Sequence, residues 1–426
     1  MKIIENLQTL SKCYDLEHKS GLKILFVPTP GKTQKTAMIA TKFGSINITA
    51  NDSDKKIDIP DGTAHFLEHK LFEGKNGNAF DYYAKTGAKA NAYTSNDKTA
   101  YYFVCTDKFE QNLQILLSFI TNPYLTEQNV EKEKGIIAQE ISMYDDEPSW
   151  QGYFGLLQCL YKTHAVRRDI AGTVEEIRAL NVDTLMACYN TYYNLSNMVL
   201  CVAGDIEIDS ILSVCDKVFK TSGKSNINRY TIVEQQGVNA QQKIKKMPVS
   251  TSLFNIGFKD NDTNLYGLDI AKKEIEVSIL LQILFGKASK FYTRLYKSAL
   301  INQEFVYGYE MSQTYGFALL SGESADAKKV YDEALCEIQN CLKNGIDNKQ
   351  FISVRNSLYG SLVSIFDNVS GIVNRMVATT FSGYNIFDSL NILKDITVES
   401  VMDRAKQIFD PCHCAISIIE PWEADA

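Results

Sequence analysis

Leu180-Asn-Val-Asp-Thr-Leu-Met186 and Ile396-Thr-Val-Glu-Ser-Val-Met402 repeat one pattern at a constant separation of 216 residues. At that offset, without a gap, Tyr193 meets Phe409, Leu200 meets Ile416 and Val202 meets Ile418. Each copy reads as a helix followed by an apolar, β-branched strand. The repeat predicts two homologous α+β domains from an internal duplication. Residues 221–245 are polar and without periodicity, so they are the expected linker. That divides the chain into residues 1–220 and residues 246–426.

Outward from the repeat, the first half opens on strand material at 14–17, 22–27 and 36–43. A hairpin follows at 88–95 and 99–105, turning at Asn96-Asp97. Helices are expected from Lys108 to about Tyr193, and then the strand 198–203. The second half runs in the same order, with a strand at 252–258 and a helix from Asp269 to Gly286. Its stretch Glu276-Val-Ser-Ile-Leu-Leu-Gln-Ile-Leu-Phe285 carries no ligand set and reads as core.

The corresponding helix of the first half differs. Ile59 to Gly74 contains His65-Phe-Leu-Glu-His69, an H-x-x-E-H pattern. Pro60, Asp61 and Thr63 supply start signals and Gly74 a stop. Ala64, Phe66, Leu67, Leu71 and Phe72 supply an apolar anchor. His65 and His69 are four apart on one helix face, so both imidazoles reach one metal ion. Glu68 lies at the edge of that face, where its carboxylate can touch a metal-held water without displacing it. The chain has only five histidines, which makes a chance pairing the weaker account. The pattern is the inverzincin signature of zinc peptidases.

Such a site needs a third protein ligand and an open position. The helix beginning near Thr126 has an apolar stripe of Val130, Ile137, Ile141 and Tyr144. Glu133 and Glu140 are two turns apart on one of its faces. Spacing alone leaves Glu131, Glu133, Glu140 and Glu147 all open as that ligand.

Composition bounds the rest. The 426 residues are 45% hydrophobic and 22% charged, as in a globular protein with large cores. A net charge of −7 argues against a nucleic-acid or anionic-membrane surface. The start, Met-Lys-Ile-Ile-Glu-Asn, lacks the apolar core of a signal peptide, and no apolar run reaches membrane-spanning length. A cytoplasmic protein is therefore expected, with its ten cysteines reduced and mostly buried. Cys412-His413-Cys414 resembles a ligand cluster, but neighbours on a strand face opposite ways. His164, Arg167 and Arg168 beside Asp169 read as an exposed, solvated loop. Tyr82-Tyr83, Tyr101-Tyr102 and Tyr192-Tyr193 read as packing.

Taken together, His65 to Gly74, Gly87-Ala-Lys-Ala-Asn-Ala-Tyr-Thr-Ser95 and Glu131-Lys-Glu-Lys-Gly-Ile-Ile-Ala-Gln-Glu-Ile141 resemble the pitrilysin/insulinase family of zinc metallopeptidases. Gly172-Thr173 with Glu175-Glu176-Ile177, and Asn197 to Gly204-Asp205, fit as well. The likeness is to short two-domain members similar to mitochondrial processing peptidase and to paired bacterial peptidases. It implies that each of the two homologous α+β domains is an antiparallel sheet packed with helices, and that one Zn2+ is held by His65, His69 and Glu140. It also implies that Glu68 is the general base and that Glu133 is an acid behind the site orienting the ligands. An extended peptide is implied beside Ala90, Asn91 and Ala92, and Tyr307 is implied as a substrate contact.

The family's arginine seven residues before that tyrosine falls on Leu300, which cannot donate a hydrogen bond. The resemblance therefore implies a zinc endopeptidase acting on unfolded peptides or leader segments, as the catalytic subunit of a heterodimer with a metal-free homologue. A homodimer is the alternative assembly. A non-catalytic peptide-binding or assembly subunit on the same scaffold is the alternative function.

Overall fold

The computed structural model describes residues 1–52, 55–219 and 234–422. The expected linker at 221–245 lies largely outside the described residues. Its last residues begin a strand, Gln242–Met247.

The helix and strand of the repeat recur at the same offset. Val182–Tyr192 and Val398–Ile408 are helices, each capped by the residue before it. Asn181 accepts from the Thr184 amide, and Thr397 accepts from the Ser400 amide. The strands Met198–Gly204 and Cys414–Pro421 follow, both starting 216 residues apart. Capping a helix start this way typically contributes about 1 kcal/mol.

Two sheets result. The first has seven strands in the order Lys2–Asn6, Ser11–Glu17, Lys23–Pro28, Met198–Gly204, Lys35–Thr41, Thr99–Cys105, Lys89–Thr94. The second has five, in the order Gln242–Met247, Cys414–Pro421, Ser252–Lys259, Gly316–Ser324, Val306–Met311. The last five strands of the first sheet and the five of the second share one pattern: a parallel pair, then three antiparallel pairings. The sheets are antiparallel as expected, apart from one parallel pair in each. A strand that closes its domain after several helices returns beside the domain's early strand in the same direction.

The chain forms two compact units that do not follow one cut in the sequence. The first contains Met1–Ile141, described residues from Asp169, and Val363–Phe381. The second contains Ser142–Arg168, described residues up to Leu362, and those from Ser382. The offset carries residues 142–168 onto 358–384, so the duplicated halves exchange equivalent segments.

Close packing accounts for the first exchange. The helix Pro148–Leu160 lies against Ser252–Lys259 and Cys414–Pro421. A Cβ on Gly152 would come within 2.6 Å of Asn255, and one on Gly155 within 2.5 Å of Ser417. Only a backbone bare at those points approaches the sheet so closely. Within the first unit the reciprocal segment is held by Lys32, whose Nζ donates to the carbonyls of Phe366 and Asp367 at 3.0 and 2.6 Å.

The expected core helix of the second unit is Leu268–Phe285, with Val277, Ile279, Leu280, Leu281 and Phe285 all buried. The basic cluster departs from expectation. His164 is buried, its Nε2 bonds Thr314 at 3.0 Å, and its backbone amide donates to Glu234. Burial lowers its pKa to about 4. The turn is pinned because Glu234 also accepts from the Lys162 and Thr163 amides.

Candidate metal centre

The motif helix is Thr63–Leu71. Gly62 precedes it at φ +82°, and a Cβ there would lie 2.3 Å from the Ala171 carbonyl oxygen. Gly172, at φ +75°, faces the Asp61 carbonyl as tightly. This mutual approach of two glycines fixes where the helix begins. The helix ends at Phe72, two residues before the expected Gly74 stop. Phe66, Leu67 and Leu71 are fully buried and anchor it, at roughly 1.5–3 kcal/mol for each such side chain.

The carboxylate helix is Glu127–Asp145, with Val130, Ile137 and Ile141 on its buried side. Its geometry separates the four glutamates that spacing left open. Glu131 turns outward and pairs with Lys134 at 2.9 Å. Glu147 lies beyond the helix and caps the next one through Ser149. Glu133 and Glu140 face the histidines.

Glu140 sits between the two imidazoles. Its Oε1 is 3.7 Å from His65 Nε2 and its Oε2 is 3.5 Å from His69 Nε2. Both separations exceed a good hydrogen bond. They match two ligands that each lie about 2.0–2.2 Å from one shared ion. His65, His69 and Glu140 are the one group of this kind among the described residues. Cys412 is exposed in the short 3-10 turn Pro411–His413, Cys414 is buried at the start of the following strand, and neither joins such a group.

The electrostatics suit a cation. Burial, helped by the adjacent His69 ring, pulls the His65 pKa down to about 4, so the ring is neutral with a lone pair to offer. His65 Nδ1 is buried without a hydrogen-bond partner, leaving Nε2 as the nitrogen that can be satisfied. Burial also works against protonating His69, but the Glu133 hydrogen bond and the nearby Glu140 and Glu68 charges outweigh it and hold its pKa above the usual value. His69 Nδ1 and Glu133 Oε1 are 3.2 Å apart, which directs His69 Nε2 toward Glu140. Two imidazoles and a carboxylate are the N/O donor set of catalytic zinc sites, and the residues present fit that ion.

Glu68 lies beside this group. Burial raises its pKa, and a hydrogen bond from Thr94 Oγ1 to Oε2 at 2.7 Å tempers the rise. Thr94 ends Lys89–Thr94, the outermost strand of the first sheet, on which Ala90, Asn91 and Ala92 also sit. Tyr307 lies in the second unit on Val306–Met311, likewise an outermost strand, half-buried against that unit's core, against which Leu300 also packs.

Sequence reasoning missed two contributors. Thr94 was quoted only as part of a motif. Lys70 is 1% exposed and paired with Glu73 and with Glu133 Oε2 at 3.4 Å. A lysine following a histidine on a helix carries no pattern that announces burial. The signal for it was the pair of glutamates, at 73 and 133.

A duplicated α+β fold with an H-x-x-E-H helix and a distant carboxylate defines a zinc-peptidase type of protein. Residues 37–174 match Insulinase (Peptidase family M16), and residues 179–358 match Peptidase M16 inactive domain. A Bacillus subtilis protein named as the uncharacterized zinc protease YmfH is 35% identical over 413 residues, 95% of each chain. The crystal structure of an M16-like peptidase from Alicyclobacillus acidocaldarius shares 31% identity and a TM-score of 0.94, covering 98% of this chain and all of that one. The mitochondrial-processing peptidase subunit beta of Caenorhabditis elegans is 34% identical over 166 residues, 37% of this chain and 36% of that protein. The chain belongs to the insulinase family, peptidase family M16. No helix among the described residues is long and apolar enough to cross a membrane.

Proposed function

We propose that the protein is a zinc endopeptidase that hydrolyses unfolded peptides or leader segments. The observation that carries this reading is the convergence of both Nε2 atoms on Glu140, with Glu68 beside them. His65, His69 and Glu140 would hold the ion. When bound, it supplies Lewis-acid chemistry, polarising the scissile carbonyl and making water more acidic.

The side chains do the rest. Glu133 orients His69 through Nδ1. Thr94 holds Glu68 Oε2, while Oε1 takes the proton of the attacking water and passes it to the leaving amine. Burial favours this role, because a carboxylate with a raised pKa gives the proton up again as well as taking it. The outermost strand at Ala90, Asn91 and Ala92 offers backbone groups that an extended peptide pairs with, whatever its sequence. Tyr307 serves as a further substrate contact.

We further propose that the protein works in the cytoplasm as the catalytic subunit of a heterodimer. The metal-free homologue would supply the arginine that Leu300 lacks. Support comes from a relative named as a subunit. The domain limits that fit the duplication best remain residues 1–220 and 246–426.

A quenched fluorogenic peptide tests the reading, with the chain alone and with a co-purified homologue. Cleavage is expected to cease with a chelator and to return on adding Zn2+. Cleavage indifferent to chelator, or none in either form, would contradict it.

A further inference from the structure

Lys70 is a buried lysine inside a cluster that otherwise carries carboxylates. Glu68, Glu133 and Glu140 lie around the two imidazoles, and the Lys70 ammonium pairs with Glu133 and with Glu73. Its side chain is 1% exposed, less than either partner, Glu73 at 36% or Glu133 at 13%. A cation so desolvated persists only where fixed anions meet it. The helix puts it there: Lys70 follows His69 by one residue, so its stem enters the core while the His69 ring faces Glu140.

Glu133 is the shared member. Oε1 meets His69 Nδ1 at 3.2 Å, and Oε2 meets Lys70 Nζ at 3.4 Å. A carboxylate gripped at both oxygens has one orientation, whereas one gripped at a single oxygen can rotate about its terminal bond. We propose that Lys70 is a positioning residue of the metal centre, locking the Glu133 carboxylate against His69 Nδ1 so that Nε2 stays aimed at the ion. Lys70 touches no reacting atom. Its effect reaches the metal through two contacts, Lys70 to Glu133 and Glu133 to His69. Glu73 holds the ammonium from the other side. The inference rests on the zinc reading of His65, His69 and Glu140.

The test is Zn2+ affinity of the metal-free full-length chain, measured by competition with a chromophoric chelator, with the apo melting temperature followed alongside. Lys70→Met keeps the length of the stem and removes the charge. It is expected to weaken zinc about 10- to 100-fold, the usual effect of losing an outer partner of a ligand. In a Glu133→Gln background the same change is expected to cost less than about threefold, because the route through Glu133 is already broken. Glu73→Gln, which leaves the Lys70–Glu133 pair intact, is expected to stay within about threefold of wild type.

Equal zinc affinity in Lys70→Met and wild type overturns the proposal. So does an undiminished loss in the Glu133→Gln background, or a loss in Glu73→Gln as large as that in Lys70→Met. If Lys70→Met does not fold, Lys70→Gln takes its place, a neutral and shorter side chain that still offers a hydrogen bond to the carboxylates, and wild-type zinc affinity in that variant likewise overturns the proposal. Failure of the wild-type chain to bind zinc would defeat the peptidase reading itself, a different outcome.

Discussion

Glu68→Gln is expected to keep a full complement of zinc and to lose about 10²- to 10⁴-fold in kcat, the usual worth of a positioned general base. Glutamine has the same shape, and its side-chain oxygen still accepts the Thr94 hydroxyl that bonds Glu68 Oε2 at 2.7 Å. What it lacks is an atom that can take a proton. Because the side chain stays in place, KM should change little, and the loss should appear in kcat and kcat/KM alike. Steady-state kinetics on a quenched peptide, with zinc measured in the same preparation, separates base from ligand. Wild-type rates in the variant would remove Glu68 from the chemistry. Loss of zinc would make it a ligand instead.

The second large effect concerns zinc itself. His65→Ala or His69→Ala removes one of three converging donors and should leave purified protein essentially without metal. Glu140→Gln should weaken zinc beyond the roughly 10- to 100-fold expected of Glu133→Gln, since the outer partner only orients while the inner one binds. The distances carry this ordering: Glu140 lies 3.5 to 3.7 Å from both Nε2 atoms, whereas of the ring nitrogens Glu133 meets His69 Nδ1, on the ring's far side. Metal analysis after dialysis against a weak chelator checks it. The reverse order would exchange the roles of the two glutamates.

Much of the fold was legible because both halves keep the same register. An ungapped offset of 216 residues marks the terminal helix and strand of each half, and the caps that the structure adds, Asn181 and Thr397, fall in the same register. The exchange of residues 142–168 with 363–381 was not legible. Local pattern reports which face of a helix is apolar, and Pro148–Leu160 is amphipathic whichever sheet it covers. What selects its partner is the close approach at Gly152 and Gly155, a tertiary fact.

The centre divides in the same way. His65 and His69 could be paired from spacing, because both lie on one helix. The choice among Glu131, Glu133, Glu140 and Glu147 required knowing how a second helix is turned against the first, and periodicity alone does not contain that. His164 misled because a basic cluster normally stays solvated, and here three backbone amides on Glu234 drew the turn inward.

Anomalous diffraction at the zinc absorption edge, on crystals of the zinc-loaded wild-type chain, bears most directly on the account. It predicts one peak per chain, within about 2.0–2.2 Å of His65 Nε2, His69 Nε2 and a Glu140 oxygen. A peak elsewhere, or zinc bound by the two histidines with Glu140 turned away, would contradict it.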